Sequence, residues 1–141
     1  MNASDYFIYS LLRYHDVRRE ENLIIGVLLI FPASGKVHFL HPAHLGRLKA
    51  AFPDCPERII RGYFEGFTLR SKEISRQDNP LPTSIQEAGP FISTHFLKED
   101  GSALQFSVPH LAVLATENLD TVAQRFYTRY LETYDLVVVG A

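Results

Sequence analysis

Tyr6-Phe-Ile-Tyr-Ser-Leu-Leu-Arg-Tyr14 and Leu23-Ile-Ile-Gly-Val-Leu-Leu-Ile-Phe31 are the two stretches that decide the fold. Both are rich in aromatic and branched side chains, which suit a pleated surface. A period of two puts Phe7, Tyr9 and Leu11 on one side of the first stretch and Tyr6, Ile8, Leu12 and Tyr14 on the other. Both sides are apolar, which predicts a covered or central strand, although periodicity alone also fits a short helix. Residues 15–22 form a charged connection, too polar for a core. Gly26 interrupts the second stretch, where a strand glycine marks a bulge or a close backbone approach. Pro32-Ala-Ser-Gly35 reads as a turn, and residues 36–40 alternate Val37 and Phe39 against His38 and Leu40. Three sequential strands on short connections predict an antiparallel meander.

Composition sets the frame around this meander. The chain has 141 residues, 46% of them hydrophobic and 21% charged, which predicts one domain over residues 1–141. That length buries about two-thirds of the unfolded surface, enough for a core without metals or disulfides. A net charge of -2 supplies no global field to draw nucleic acid or anionic membrane, so any such binding must be local. The single cysteine, Cys55, forbids an internal disulfide and fits a reducing compartment. Residues 1–5 lack the basic and apolar regions of a signal peptide. The longest apolar run, nine residues at 23–31, falls far short of the ~20 that span a bilayer. A cytoplasmic location without membrane attachment is therefore expected.

Beyond the meander the pattern turns helical. Pro42 suits a first helical position, with Leu45, Leu48 and Phe52 at helical spacing before Pro53. A longer helix is expected over 56–70, with Ile59, Ile60, Tyr63, Phe64 and Phe67 as its apolar stripe. Gly62 and Gly66 share one face, which predicts close packing against the sheet. Residues 77–90 carry three prolines and read as a long loop. Residues 91–108 read as a hairpin turning at Asp100-Gly101, with His95 opposite Phe106. A last helix is expected over 117–131, capped by Thr116, with Leu119, Val122, Ala123, Phe126 and Tyr130 inward. Residues 136–139 read as an edge strand, paired within the protomer or across a homodimer. The expected fold is α+β: an antiparallel sheet of five or six strands, packed on one face by the two longer helices, with one short helix.

Phe7-Ile-Tyr-Ser-Leu-Leu-Arg-Tyr14, Val17-Arg-Arg-Glu-Glu21 and Ile25-Gly-Val-Leu-Leu29 together resemble the opening of the bacterial domain-of-unknown-function family 3037. Ala103-Leu-Gln-Phe106 and the helix over 119–130 are similar to that family's C-terminal half. Ile24 departs from the asparagine that the family usually carries two residues before the glycine. The family has no assigned reaction. Some members are encoded beside HipA-like kinase proteins, so the resemblance implies an accessory or partner-binding role with such a kinase as partner.

Three functional readings follow from the residues. The first is a non-enzymatic module that binds a protein partner through the first hairpin, the 77–90 loop or the last strand. It needs no cofactor and no catalytic residue. The second is a nucleic-acid-associated protein. Arg13, Arg18 and Arg19 would bind phosphate, and Tyr6, Tyr9 and Tyr14 would stack on bases. Glu20 and Glu21 weigh against that reading, since they make the same turn a set of solvated ion pairs. The third is a metal-dependent enzyme built on His38, His41 and His44, whose imidazoles are good transition-metal ligands. No carboxylate or cysteine lies within that histidine stretch, so a fourth ligand is missing locally. Cys55 sits at an expected helix start, which favours thiolate, with Asp54 opposing it. No glycine-rich phosphate loop, metalloprotease motif or nucleophile elbow is present.

Overall fold

The computed structural model describes residues 5–16, 20–77, 79–98, 103–115 and 117–135. The expected Asp100-Gly101 turn, the Thr116 cap and the strand at 136–139 lie outside the described residues.

Strands β1 (Tyr6–Asp16), β2 (Glu21–Phe31) and β3 (Lys36–Leu40) form the expected antiparallel meander. The short strands β4 (Leu104–Phe106) and β5 (His110–Val113) lie end to end along the other edge of β1, which makes β1 central. Leu12 pairs Phe106 and Tyr9 pairs His110, so Ser107, Val108 and Pro109 stand opposite only Ser10 and Leu11. The extra residue is a bulge, where Pro109 costs no ladder bond. Ser107 holds it: its hydroxyl accepts from Leu11 N–H at 2.9 Å, and its carbonyl accepts from the buried Ser10 hydroxyl at 2.6 Å. A second bulge falls beside Gly26, between the pairs Leu12–Gly26 and Arg13–Ile24.

The register assigns the two faces of the sheet. Ile8, Ile30 and Val37 share one face with Leu28 and Phe39, while Phe7 and Phe31 point to the other. Helix α1 (Gly46–Ala51) leads into helix α2 (Glu57–Arg76), which covers the first face through Phe64 and Phe67 against Phe39. Helix α3 (Ile85–His95) lies beside it, where Phe96 meets Phe67 and Phe106. Helix α4 (Leu119–Tyr130) covers the opposite face, with Phe126 set edge-on to Phe7 at 5.6 Å. Packing of both long helices on one face is thus corrected. With both faces of β1 and β2 apolar, each needs its own cover. A 3₁₀ turn (Glu132–Asp135) follows α4, and its Tyr134 hydroxyl donates to the Ile24 carbonyl at 2.8 Å.

Other expectations are also corrected. α1 begins at Gly46 rather than at Pro42, although Leu45, Leu48 and Phe52 are buried as expected. Residues 85–95 are helix, not the end of a loop and the first arm of a hairpin. Ser84 accepts from Glu87 N–H at 3.2 Å, and Glu87 reaches back to Thr83 N–H at 2.9 Å. This is close to a capping box, displaced by one residue. Pro90 sits inside the helix on its exposed side. α4 is capped by Asn118, whose side chain accepts from Thr121 N–H at 2.8 Å. Among the described residues no helix is long and apolar enough to cross a membrane.

Candidate docking face on helix α2

The first contacts of α2 are with its own sheet. Ile60, Phe64, Phe67, Ser71 and Ile74 are buried, at spacings of three and four that keep one stripe facing inward. The adjacent stripe carries Ile59, Gly62, Tyr63, Gly66 and Leu69, and it faces out. Ile59 is 58% exposed, Tyr63 41% and Leu69 59%. Ile59 and Tyr63, expected on the buried stripe, are thus corrected to the exposed one. The doublets Ile59-Ile60 and Tyr63-Phe64 are split, one member inward and one outward.

Gly62 and Gly66 do not pack against the sheet either. A Cβ built on either one meets nothing within 4 Å. They form the low wall of an open groove of about 440 Å³ that also includes Phe67 and Phe96. Tyr63 lies 5.7 Å from the Phe67 ring, and Phe96 lies 6.0 Å from it on the far side. The groove closes at a polar end. Arg70 bonds Glu73 at 3.2 Å and donates to His95 Nδ1 at 3.1 Å, since a guanidinium has no acceptor. His95 lies tilted against Phe91 at 4.7 Å, so its actual partners are on α2 and α3 rather than across a hairpin.

The residues singled out in the sequence lie elsewhere. Arg13 is exposed on β1 between Gln105 and Ile24, while Arg18 and Arg19 lie outside the described residues. Tyr6 and Tyr14 are buried. Tyr6 donates to the Thr83 carbonyl at 2.6 Å, and Tyr14 packs on Phe52 at 5.4 Å. Tyr9 stacks on His110 at 5.1 Å. His38 meets Phe31 edge-on at 6.1 Å, on the α4 side of the sheet. His41 stacks on Phe64 at 4.8 Å and donates from Nδ1 to the Pro42 carbonyl at 3.0 Å, which leaves Nε2 as its open nitrogen. His44 is exposed. Among the described residues no three His, Cys, Asp or Glu side chains are grouped to hold a metal ion. Cys55 is buried, and burial followed by Glu57 pushes its thiol pKa up, away from thiolate. Glu57, not Asp54, is the opposing carboxylate.

No family model matches the chain, and neither does any curated protein or solved structure.

The sequence does not separate the outward face of α2, because Ile59 and Tyr63 adjoin Ile60 and Phe64 and merge with them into one wide apolar stripe. The signal of that face was present in the doublets and in the two glycines. A helix with one apolar face needs neither.

Proposed function

We propose that this chain is a non-enzymatic interaction module, and that α2 presents Ile59, Gly62, Tyr63 and Gly66 to a helix of a partner protein. The glycine pair carries the proposal. Each glycine costs the helix about 1 kcal/mol relative to alanine, and no contact with a described residue requires it. What a helical glycine permits is close approach of another backbone. The spacing supports a helical occupant. Positions 59, 62, 63 and 66 are the i, i+3, i+4 and i+7 set by which helices engage grooves, and glycines four apart leave a gap along one ridge. Apolar side chains line the middle of the groove, and Arg70, Glu73 and His95 make a polar end. This is the core-and-rim arrangement of a docking surface. The resemblance at residues 7–29 implies an accessory role of the same kind and makes a HipA-like kinase the first partner to assay.

Photocross-linking in the native host tests this. A benzophenone side chain is placed in turn at Ile59 and Tyr63, which line the groove, and at Glu65 and Lys72, which do not, as controls. The proposal expects one partner cross-linked from the first set and not from the second. Equal yields from both sets, no adduct, or adducts only to a second copy of this chain would overturn it.

A further inference from the structure

A second groove, of about 640 Å³, runs along the outer edge of β3, which pairs with no described strand on that side, between α2 and the start of α4. It shares no residue with the docking face. Three hydroxyls of α2 are found along it, on Thr68, Ser71 and Ser75. Ser75 closes the strand edge, accepting from Val37 N–H at 2.9 Å and donating to the Val37 carbonyl at 3.1 Å. One turn earlier, Ser71 makes no comparable bond. Its residue is 3% exposed, and its Oγ has no partner among the described residues; the Thr68 hydroxyl is buried without a described partner as well. A buried hydroxyl left unpaired costs about 1–3 kcal/mol, so two beside one groove need a reason.

The charges around the groove supply one. Lys36, Lys72 and Arg76 line it, and none forms an ion pair with a described residue. Asp120 is the one carboxylate among the lining residues. The N-terminus of α4 opens into the same space. Thr121 N–H is taken by the Asn118 side chain and Val122 N–H by the Asn118 carbonyl, so the Leu119 and Asp120 N–H groups have no acceptor within the helix. Free amides at a helix start, with the positive pole of its dipole, favour an anion. Phe39, Val37 and Leu119 add apolar wall, and the volume is that of a small-molecule site.

We infer that this groove binds a small phosphate ester. Its phosphate would sit at the α4 start among Lys36, Lys72 and Arg76, and its polar body would engage the Ser71 and Thr68 hydroxyls. Three cations against one carboxylate suit a dianion better than a single carboxylate.

Amide spectra of the ¹⁵N-labelled full chain test this with AMP, inorganic phosphate, adenosine and citrate as probes. The expected result is saturable shifts at Leu119 and Asp120 with AMP and with phosphate, phosphate displacing AMP, and neither adenosine nor citrate reproducing them. Lys72→Ala and Arg76→Ala are each expected to weaken AMP by about tenfold. Ser71→Ala is expected to weaken AMP while leaving stability equal or higher, because its hydroxyl has no bond to lose. No saturable shift from either phosphate compound at about 10 mM would overturn the inference. So would equal shifts from adenosine or citrate, or AMP binding indifferent to Lys72→Ala and Ser71→Ala.

Discussion

The Phe39 ring lies against the backbone of Gly26, so closely that a Cβ on Gly26 would stand 2.8 Å from the ring's Cζ. The ring has little room to yield, because Phe64, Phe67 and Phe106 surround it. Leu12 Cβ closes the space from below at 3.2 Å. Gly26→Ala is therefore overpacked and should cost about 1–3 kcal/mol. A urea titration checks this through a lower midpoint at unchanged slope. An unchanged midpoint would mean that Phe39 can move aside.

At the bulge opposite Ser10 and Leu11, the Ser107 hydroxyl works beside two further bonds, Ser107 N–H to the Leu11 carbonyl at 2.7 Å and the Ser10 hydroxyl to the Ser107 carbonyl at 2.6 Å. Ser107→Ala removes the acceptor of Leu11 N–H. The loss should be about 1–2 kcal/mol. Hydrogen exchange should locate the change, with Leu11 N–H losing protection before the amides of β2. Uniform loss along β1 would contradict a local role.

Helix α3 begins on a side-chain cap, and Ser84→Ala tests it. Removing the acceptor of Glu87 N–H should lower stability by about 1 kcal/mol, whereas Ser84→Asp should restore it. Equal stability of the two variants would show that Glu87 and Thr83 hold the helix start alone.

Two tyrosines make stability fall in alkali. Burial, together with the hydrogen bond from its hydroxyl to Asp135, pushes Tyr127 up to about 12, and burial pushes Tyr134 up to about 12. The ordinary value is 10.0. The folded state thus keeps protons that the unfolded chain releases, so stability is full below pH 10 and declines toward pH 12. Melting temperatures across that range should drop less for Tyr127→Phe than for the parent chain. Parallel curves would contradict the assignment for Tyr127.

The meander was legible because β1 and β2 are covered on both faces and so read as unbroken apolar runs. The same fact should have placed α4 opposite α2, since an apolar second face needs a cover. Gly26 was legible as both a bulge and a close approach. Helix α3 was hidden by Pro80, Pro82 and Pro90, which read as loop, although Ser84 and Glu87 carried the spacing of a helix start. The inward phase of α2 is fixed by Ser71 and Ile74, and a serine on a buried stripe does not look like core. The β3-edge groove joins Lys36 to Asn118, Leu119 and Asp120, residues far apart in sequence that only the fold brings together.

The claim that the outer face of α2 exists for a partner and not for its own fold separates stability from binding. The double variant Gly62→Leu/Gly66→Leu tests that separation, because leucine favours helix over glycine and nothing stands within 4 Å of either Cβ position. The expected result is a urea midpoint equal to or above that of the parent chain, gaining up to about 1 kcal/mol per site, together with loss of the adduct formed from a benzophenone at Tyr63. A fall in stability, or an undiminished adduct, would contradict it.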